Sequence, residues 1–150
     1  MRSVAERGEF MIVLGIDFGD ARMGFALCDK EERMAYADGI ARVNGIEHAA
    51  NLAAEKAATS FAEEIVVGMP RNMDGTFGPR AEKTERFIAS LKNKCSLPIS
   101  VVDERLTTVA AHTLLHEAGI KKGKSKGVVD AVAAKLILET YLEMRKRKQG

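Results

Sequence analysis

Apolar residues recur along this chain in two rhythms, one of period two or unbroken, the other of period three to four. Residues 12–18 read Ile-Val-Leu-Gly-Ile-Asp-Phe, an apolar run carrying a single carboxylate, Asp17. As a strand, its alternation sets Val13, Gly15 and Asp17 on one face and Ile12, Leu14, Ile16 and Phe18 on the other. A turn at residues 20–23 leads to a second strand over 24–28, and a polar connection over 29–33 to a third over 34–42, forming an antiparallel meander. Apolar positions 46, 49, 50, 53, 57 and 61 then follow helical spacing, which predicts a helix over 46–64. Residues 65–69 form a short continuous apolar strand that Pro70 ends, of the kind found inside a covered parallel sheet.

Beyond a loop over 71–79, a second helix presents Thr84, Phe87, Ile88, Leu91 and Cys95 to a core. Residues 98–104 predict a fifth strand, and a helix over about 107–118 stops at Gly119. The last helix, about 128–148, turns Asp130, Ala133, Ala134, Ile137, Leu138 and Tyr141 inward and Lys135, Glu139, Glu143 and Lys146 toward water. Three antiparallel strands followed by alternating helix and strand predict an α/β domain. Its five-stranded mixed sheet should carry helices on both faces, the order of the ribonuclease H-like fold. A dinucleotide-binding fold would alternate from the outset and place a glycine-rich phosphate turn after the first strand, where this chain turns back into a hairpin. Residues 1–10 are polar and aperiodic, so the expected organisation is a disordered leader over 1–10, a domain over 11–143 and a basic tail over 144–150.

Composition narrows the class. With 150 residues, 46% hydrophobic and 29% charged, the chain can bury one ordinary core. Every apolar run is too short to span a bilayer, and Glu6 and Glu9 interrupt any secretory signal, so a cytoplasmic protein without a membrane partner is expected. Cys28 and Cys95 lack metal-ligand spacing, as do the scattered histidines His48, His112 and His116. The net charge of +2 says little by itself, but the positive residues cluster. Lys121, Lys122, Lys124 and Lys126 punctuate a glycine-containing loop, and Arg145 to Lys148 close the chain.

Acids stand at three informative places: Asp17, the pair Asp103 and Glu104, and Asp130 in the first turn of the last helix. Neighbours on a strand point to opposite faces, so only one of Asp103 and Glu104 can face Asp17, and the other is free to bond Arg105. For Asp130 a favourable helix-dipole position is the competing explanation. Converging carboxylates raise one another's pKa unless a cation relieves them, and Mg²⁺ is the hard ion suited to oxygen ligands. Two such ions about 4 Å apart can drive phosphodiester hydrolysis without a serine, cysteine or histidine nucleophile.

Four blocks carry a resemblance. They are Gly15-Ile-Asp-Phe-Gly-Asp-Ala-Arg-Met-Gly-Phe-Ala26, Gly68-Met-Pro-Arg-Asn-Met-Asp-Gly-Thr-Phe-Gly-Pro-Arg-Ala81, Val102-Asp-Glu-Arg-Leu-Thr-Thr108 and Lys126-Gly-Val-Val-Asp-Ala-Val-Ala-Ala134. In this order they resemble the YqgF/RuvX family, Holliday-junction resolvase-like proteins also described as nucleases maturing the ends of pre-ribosomal RNA. The resemblance implies a ribonuclease H-like domain related to the RuvC resolvases. It also implies a catalytic, metal-binding triad of Asp17, Glu104 and Asp130, with Mg²⁺ or Mn²⁺ as cofactor and products ending in 5′-phosphate and 3′-hydroxyl. Glu104 rather than Asp103 comes from that comparison alone.

For grip on nucleic acid, Arg71, Asn72 and Arg80 supply donors in the 70–80 loop, while Arg22 and Arg105 flank two of the acids. Lys122, Lys124 and Lys126 can reach a backbone from the loop before Asp130. Sparse aromatics, with no tryptophan, argue against an extended stacking surface. The leading expectation is a metal-dependent endonuclease maturing the 5′ end of small-subunit pre-ribosomal RNA, alone or with precursor particles, as monomer or homodimer. Alternatives are a junction resolvase acting on DNA, which needs two active sites and hence a dimer, and a non-catalytic ribosome-assembly factor. A sugar-kinase-like phosphotransferase would need a second domain that 150 residues leave no room for.

Overall fold

The computed structural model describes residues 11–29, 34–107 and 126–149. Five strands form one sheet: β1 (Val13–Phe18), β2 (Arg22–Cys28), β3 (Ala35–Arg42), β4 (Glu64–Met69) and β5 (Ile99–Asp103). Their order is β3-β2-β1-β4-β5, with β1 antiparallel to β2, β2 antiparallel to β3, and β1, β4 and β5 parallel. Helices α1 (Ile46–Thr59), α2 (Pro79–Lys92) and α3 (Lys126–Gln149) complete the described elements. The mixed sheet expected from the element order is present. The leader over 1–10, most of the helix expected over 107–118 and the lysine loop lie outside the described residues.

Alternation in β1 divides two cores. Leu14, Ile16 and Phe18 enter a cluster with α1 and α2, where Phe87 stacks on Phe18 at 4.6 Å between ring centroids. Val13 on the opposite face joins Ala133, Ala134, Ile137, Leu138 and Leu142 of α3. Because both faces are covered, β4 is buried along its whole length, which accounts for the continuous apolar run that follows Glu64. On the α3 side close approach depends on missing side chains. A Cβ on Gly24 would lie 2.1 Å from the carbonyl oxygen of Asp130, and one on Gly15 2.9 Å from Cβ of Leu138.

Two helix ends differ from the sequence reading. α1 stops at Thr59 rather than continuing to 64: the N–H of Ala62 donates to the carbonyl of Ala57, and Phe61 sits in the left-handed region at φ 58°. This closes the helix in the manner usually reserved for glycine. The next residue but two, Glu64, already pairs with Val13 as the first residue of β4. α2 stops at Lys92, and Cys95, expected on its core face, packs against the core from the turn beyond.

Glu64 is a buried acid that the pattern hides inside an expected helix end. Tyr141 and Ser100 donate hydrogen bonds to Oε2, and Arg145 approaches Oε1 at 3.4 Å. This ties α3 to β4 and β5 at the N-terminal end of the parallel strands. A hydrogen bond to a charged group is worth roughly 1.5–3 kcal/mol. Tyr141→Phe is therefore expected to lower unfolding free energy by about 2 kcal/mol in urea titration. An unchanged midpoint would show that Ser100 and Arg145 satisfy Glu64 without the tyrosine.

Candidate functional site

The C-terminal ends of β1, β4 and β5 lie at one edge of the sheet because those strands are parallel, and such edges are where ligands bind in open α/β sheets. Asp17 is the next-to-last residue of β1, and Glu104 opens a short 3₁₀ turn (Glu104–Leu106) directly after β5. The chain leaves the strand between Asp103 and Glu104, so the two acids part. Asp103 receives bonds from the Arg105 backbone and guanidinium, at 2.9 Å to the N–H and 2.7 Å to Nη2. Glu104 meets Asp17.

Asp17 and Glu104 are linked by a hydrogen bond, which favours the protonated form of Asp17 and the ionised form of Glu104. Burial first, then the neighbouring charges of Glu104 and Asp130, pushes the Asp17 carboxyl well above the usual carboxylate range, while Arg80 pulls it back. Burial also raises Glu104, against the opposing effect of Arg80 and of the bond from Asp17. A shared proton is the expected state of two crowded acids.

Asp130 faces this pair from α3, near enough for its charge to act on Asp17, and Arg22 Nε donates to its Oδ2 at 2.8 Å. Arg22 lies 108 residues away in sequence, at the start of β2. The close packing of Gly24 against the Asp130 backbone brings the acid in. As they lie, no three histidine, cysteine, aspartate or glutamate side chains among the described residues stand in a metal-holding arrangement. Asp17 and Glu104 are bonded to each other, and Asp130 is bonded to Arg22. The donor chemistry, carboxylate oxygens alone, suits a hard divalent cation. Asp17 and Glu104 could hold one in place of their proton, with Asp130 as a third ligand on leaving Arg22.

Around the acids, Arg80 enters from the first turn of α2 and acts on both Asp17 and Glu104. Lys83, one turn on, donates to Asp20 at 3.1 Å. The loop between β4 and α2 folds on itself, with Asn72 Nδ2 donating to Thr76 Oγ1 at 2.9 Å and Thr76 donating to Asp74. Asn72 thus holds the loop together, and Arg71 lies over the ring of Phe77 at 4.3 Å. Arg105 spans from Asp103 to the carbonyl of Met73. Of the expected nucleic-acid contacts, Arg22, Arg71, Asn72, Arg80 and Arg105 are gathered at this edge. Lys122 and Lys124 lie outside the described residues, as does the side chain of Lys126. Phe77 is exposed in this loop, which no local pattern in the sequence signals.

A profile of the RuvX family, described as Holliday junction resolvase, matches residues 11–144. The chain belongs to the RuvX family. A relative from Halothermothrix orenii, provisionally named pre-16S rRNA nuclease, is 41% identical over 140 residues, spanning 93% of this chain and 100% of its own. One from Acetivibrio thermocellus with the same name is 44% identical over 138 residues, spanning 90% and 97%. Among solved structures, Thermus thermophilus RuvC in complex with a Holliday junction substrate superposes with a TM-score of 0.57 at 15% identity, covering 89% of this chain and 96% of RuvC. The fowlpox virus resolvase with Holliday junction DNA gives 0.56 at 12% identity, covering 89% and 98%. The RuvX chain therefore shares the RuvC fold, as its mixed sheet and flanking helices indicate. No helix among the described residues is long and apolar enough to cross a membrane.

Proposed function

We propose that this RuvX-family chain is a divalent-metal-dependent nuclease that hydrolyses phosphodiester bonds in structured nucleic acid. Its proposed substrate is the precursor of small-subunit ribosomal RNA, cut toward the mature 5′ end. One observation carries the reading: Asp17 and Glu104 crowd together in a mutual hydrogen bond, with Asp130 close enough for its charge to act on Asp17, at the strand ends of a fold common to RuvC. The RNA substrate follows the names of relatives that match nearly the whole chain.

Asp17 and Glu104 would hold the cation, with Asp130 completing the set. When bound, Mg²⁺ or Mn²⁺ supplies the charge that activates a water and neutralises the phosphate. The hydrogen bond between Asp17 and Glu104 would give way to a bound cation. Arg80, whose charge acts on both acids, would orient the scissile phosphate and keep its charge from repelling them. Asp103 takes no part in the chemistry, because Arg105 occupies it.

The family description favours a second substrate, a four-way DNA junction. Both are tested together, using a pre-16S transcript and a synthetic junction with Mn²⁺, Mg²⁺ or chelator. Glu104→Gln is expected to remove metal-dependent cleavage of the preferred substrate, and Asp103→Asn to change its rate less than about tenfold, as a residue outside the acid pair. Equal losses in the two variants would refute the assignment of Glu104. Cleavage undiminished by chelator would refute the metal.

A further inference from the structure

A second recognition element stands in the loop between β4 and α2, which Arg105 ties to the turn carrying Glu104. Phe77 is 48% exposed in this loop, and Met73 on the same loop is 89% exposed. The loop is built to keep its shape. Its backbone closes between Asn72 and Thr76 and between Gly75 and Asn72, and the side chains of Asn72, Asp74 and Thr76 are bonded together. At Gly75, φ is 90°, and a Cβ there would stand 3.2 Å from Nη1 of Arg105. Arg105 in turn bonds Asp103 and the Met73 carbonyl, clamping the loop to the turn that carries Glu104. Arg80, three residues after Phe77, acts on both acids.

An exposed aromatic ring in a rigid loop costs solvation and contributes nothing to the two cores, neither of which includes it. Its ring carries a guanidinium, that of Arg71, at 4.3 Å. A flat π-face backed by a planar cation is the chemistry that holds a nucleobase, since bases stack on aromatic side chains and arginine draws the adjoining phosphate. A protein partner would suit the apolar surface of Met73 and Phe77, but the cluster of Arg71, Arg80 and Arg105 around them complements a polyanion.

We propose that Phe77, backed by Arg71, is a stacking platform for one unpaired nucleobase next to the phosphate placed at Asp17 and Glu104. The preferred substrate is then a strand that is unpaired where it is cut. This deepens the nuclease reading and rests on it for the position of the phosphate. It also qualifies the expectation from composition, because a single ring at the site suffices to hold one base without an extended stacking surface.

The test measures binding of a short oligoribonucleotide carrying 2-aminopurine, single-stranded or annealed to its complement, to the full chain in chelator, so that no cleavage intervenes. Fluorescence anisotropy gives affinity and 2-aminopurine emission reports stacking. Phe77→Ala is expected to weaken single-strand binding about tenfold, within the range for loss of one stacked base, and to leave duplex binding unchanged. Quenching of the probe on binding should disappear in that variant. Phe77→Trp should restore both signals, whereas Phe77→Leu, apolar but without a ring, should not. Melting temperatures serve as a check that the variants fold.

Phe77→Leu binding as tightly as the original chain, or equal losses for single strand and duplex, would overturn the platform. If the platform fails while wild type still cleaves, the nuclease reading stands. If single-strand binding depends on the ring but no phosphodiester is cut with Mn²⁺, the platform stands and the nuclease reading falls. Absence of binding to either probe overturns the platform.

Discussion

Asp17→Asn is expected to abolish metal-dependent hydrolysis while making the metal-free protein more stable, two effects of opposite sign from one atom change. For activity, the variant removes a carboxylate from the centre of the proposed metal site. Loss of several kcal/mol of charge stabilisation there corresponds to about a thousandfold or greater fall in cleavage rate. For stability, the folded protein binds the Asp17 proton more tightly than an unfolded chain does, because burial and the charges of Glu104 and Asp130 oppose ionisation. The contribution of Asp17 to stability in chelator is therefore fully present below the ordinary aspartate value of 3.8 and is lost as pH rises from there through its raised value. The raised Glu104 adds to the same decline.

An asparagine has no proton to lose, so the variant should show a flatter fall of melting temperature with pH and a higher value at neutral pH. Mn²⁺ should raise the melting temperature of wild type at neutral pH and leave the variant nearly unmoved. Retained cleavage would sink the site. A pH profile identical to wild type would sink the account of its strain.

Gly24→Ala is the second large effect, and it acts from outside the acids. The added methyl would stand 2.1 Å from the Asp130 carbonyl oxygen, a backbone atom that cannot rotate aside. Relief requires α3 to lift from β2, at the upper end of the cost of overpacking, about 3 kcal/mol in urea unfolding. Lifting α3 also draws Asp130 from Asp17, so cleavage should fall by more than the loss of folded protein explains. A variant with normal stability and normal rate would mean that the helix does not need this approach. The effect is on geometry, which predicts that higher Mn²⁺ concentrations recover part of the rate.

The element order was legible because burial on both faces of the parallel strands and on one face of each helix leaves a periodic mark. Leu14, Ile16 and Phe18 on one side of β1, and Val13, Gly15 and Asp17 on the other, follow from alternation alone. The end of α1 was not legible, since Glu63 and Glu64 continue a helical pattern. What lets Glu64 stand buried in the strand is its hydrogen bonds from Tyr141 and Ser100 and its ion pair with Arg145, residues far along the chain.

The choice between Asp103 and Glu104 had the same character. Strand alternation separates them, but only the exit of the chain from β5 and the grip of Arg105 decide which one meets Asp17. The pairing of Arg22 with Asp130 joins residues 108 apart, and no local pattern carries that information.

The bonds at Glu64 bear on the acids at the far end of the sheet. Tyr141 follows Asp130 by eleven residues, close to three turns at about 3.6 residues each, so both project from nearly the same side of α3. The helix is thus keyed like a shaft. Any rotation about its own axis that would swing Asp130 away from Asp17 must first pull Tyr141 off Glu64, about 16 Å along the axis at 1.5 Å per residue.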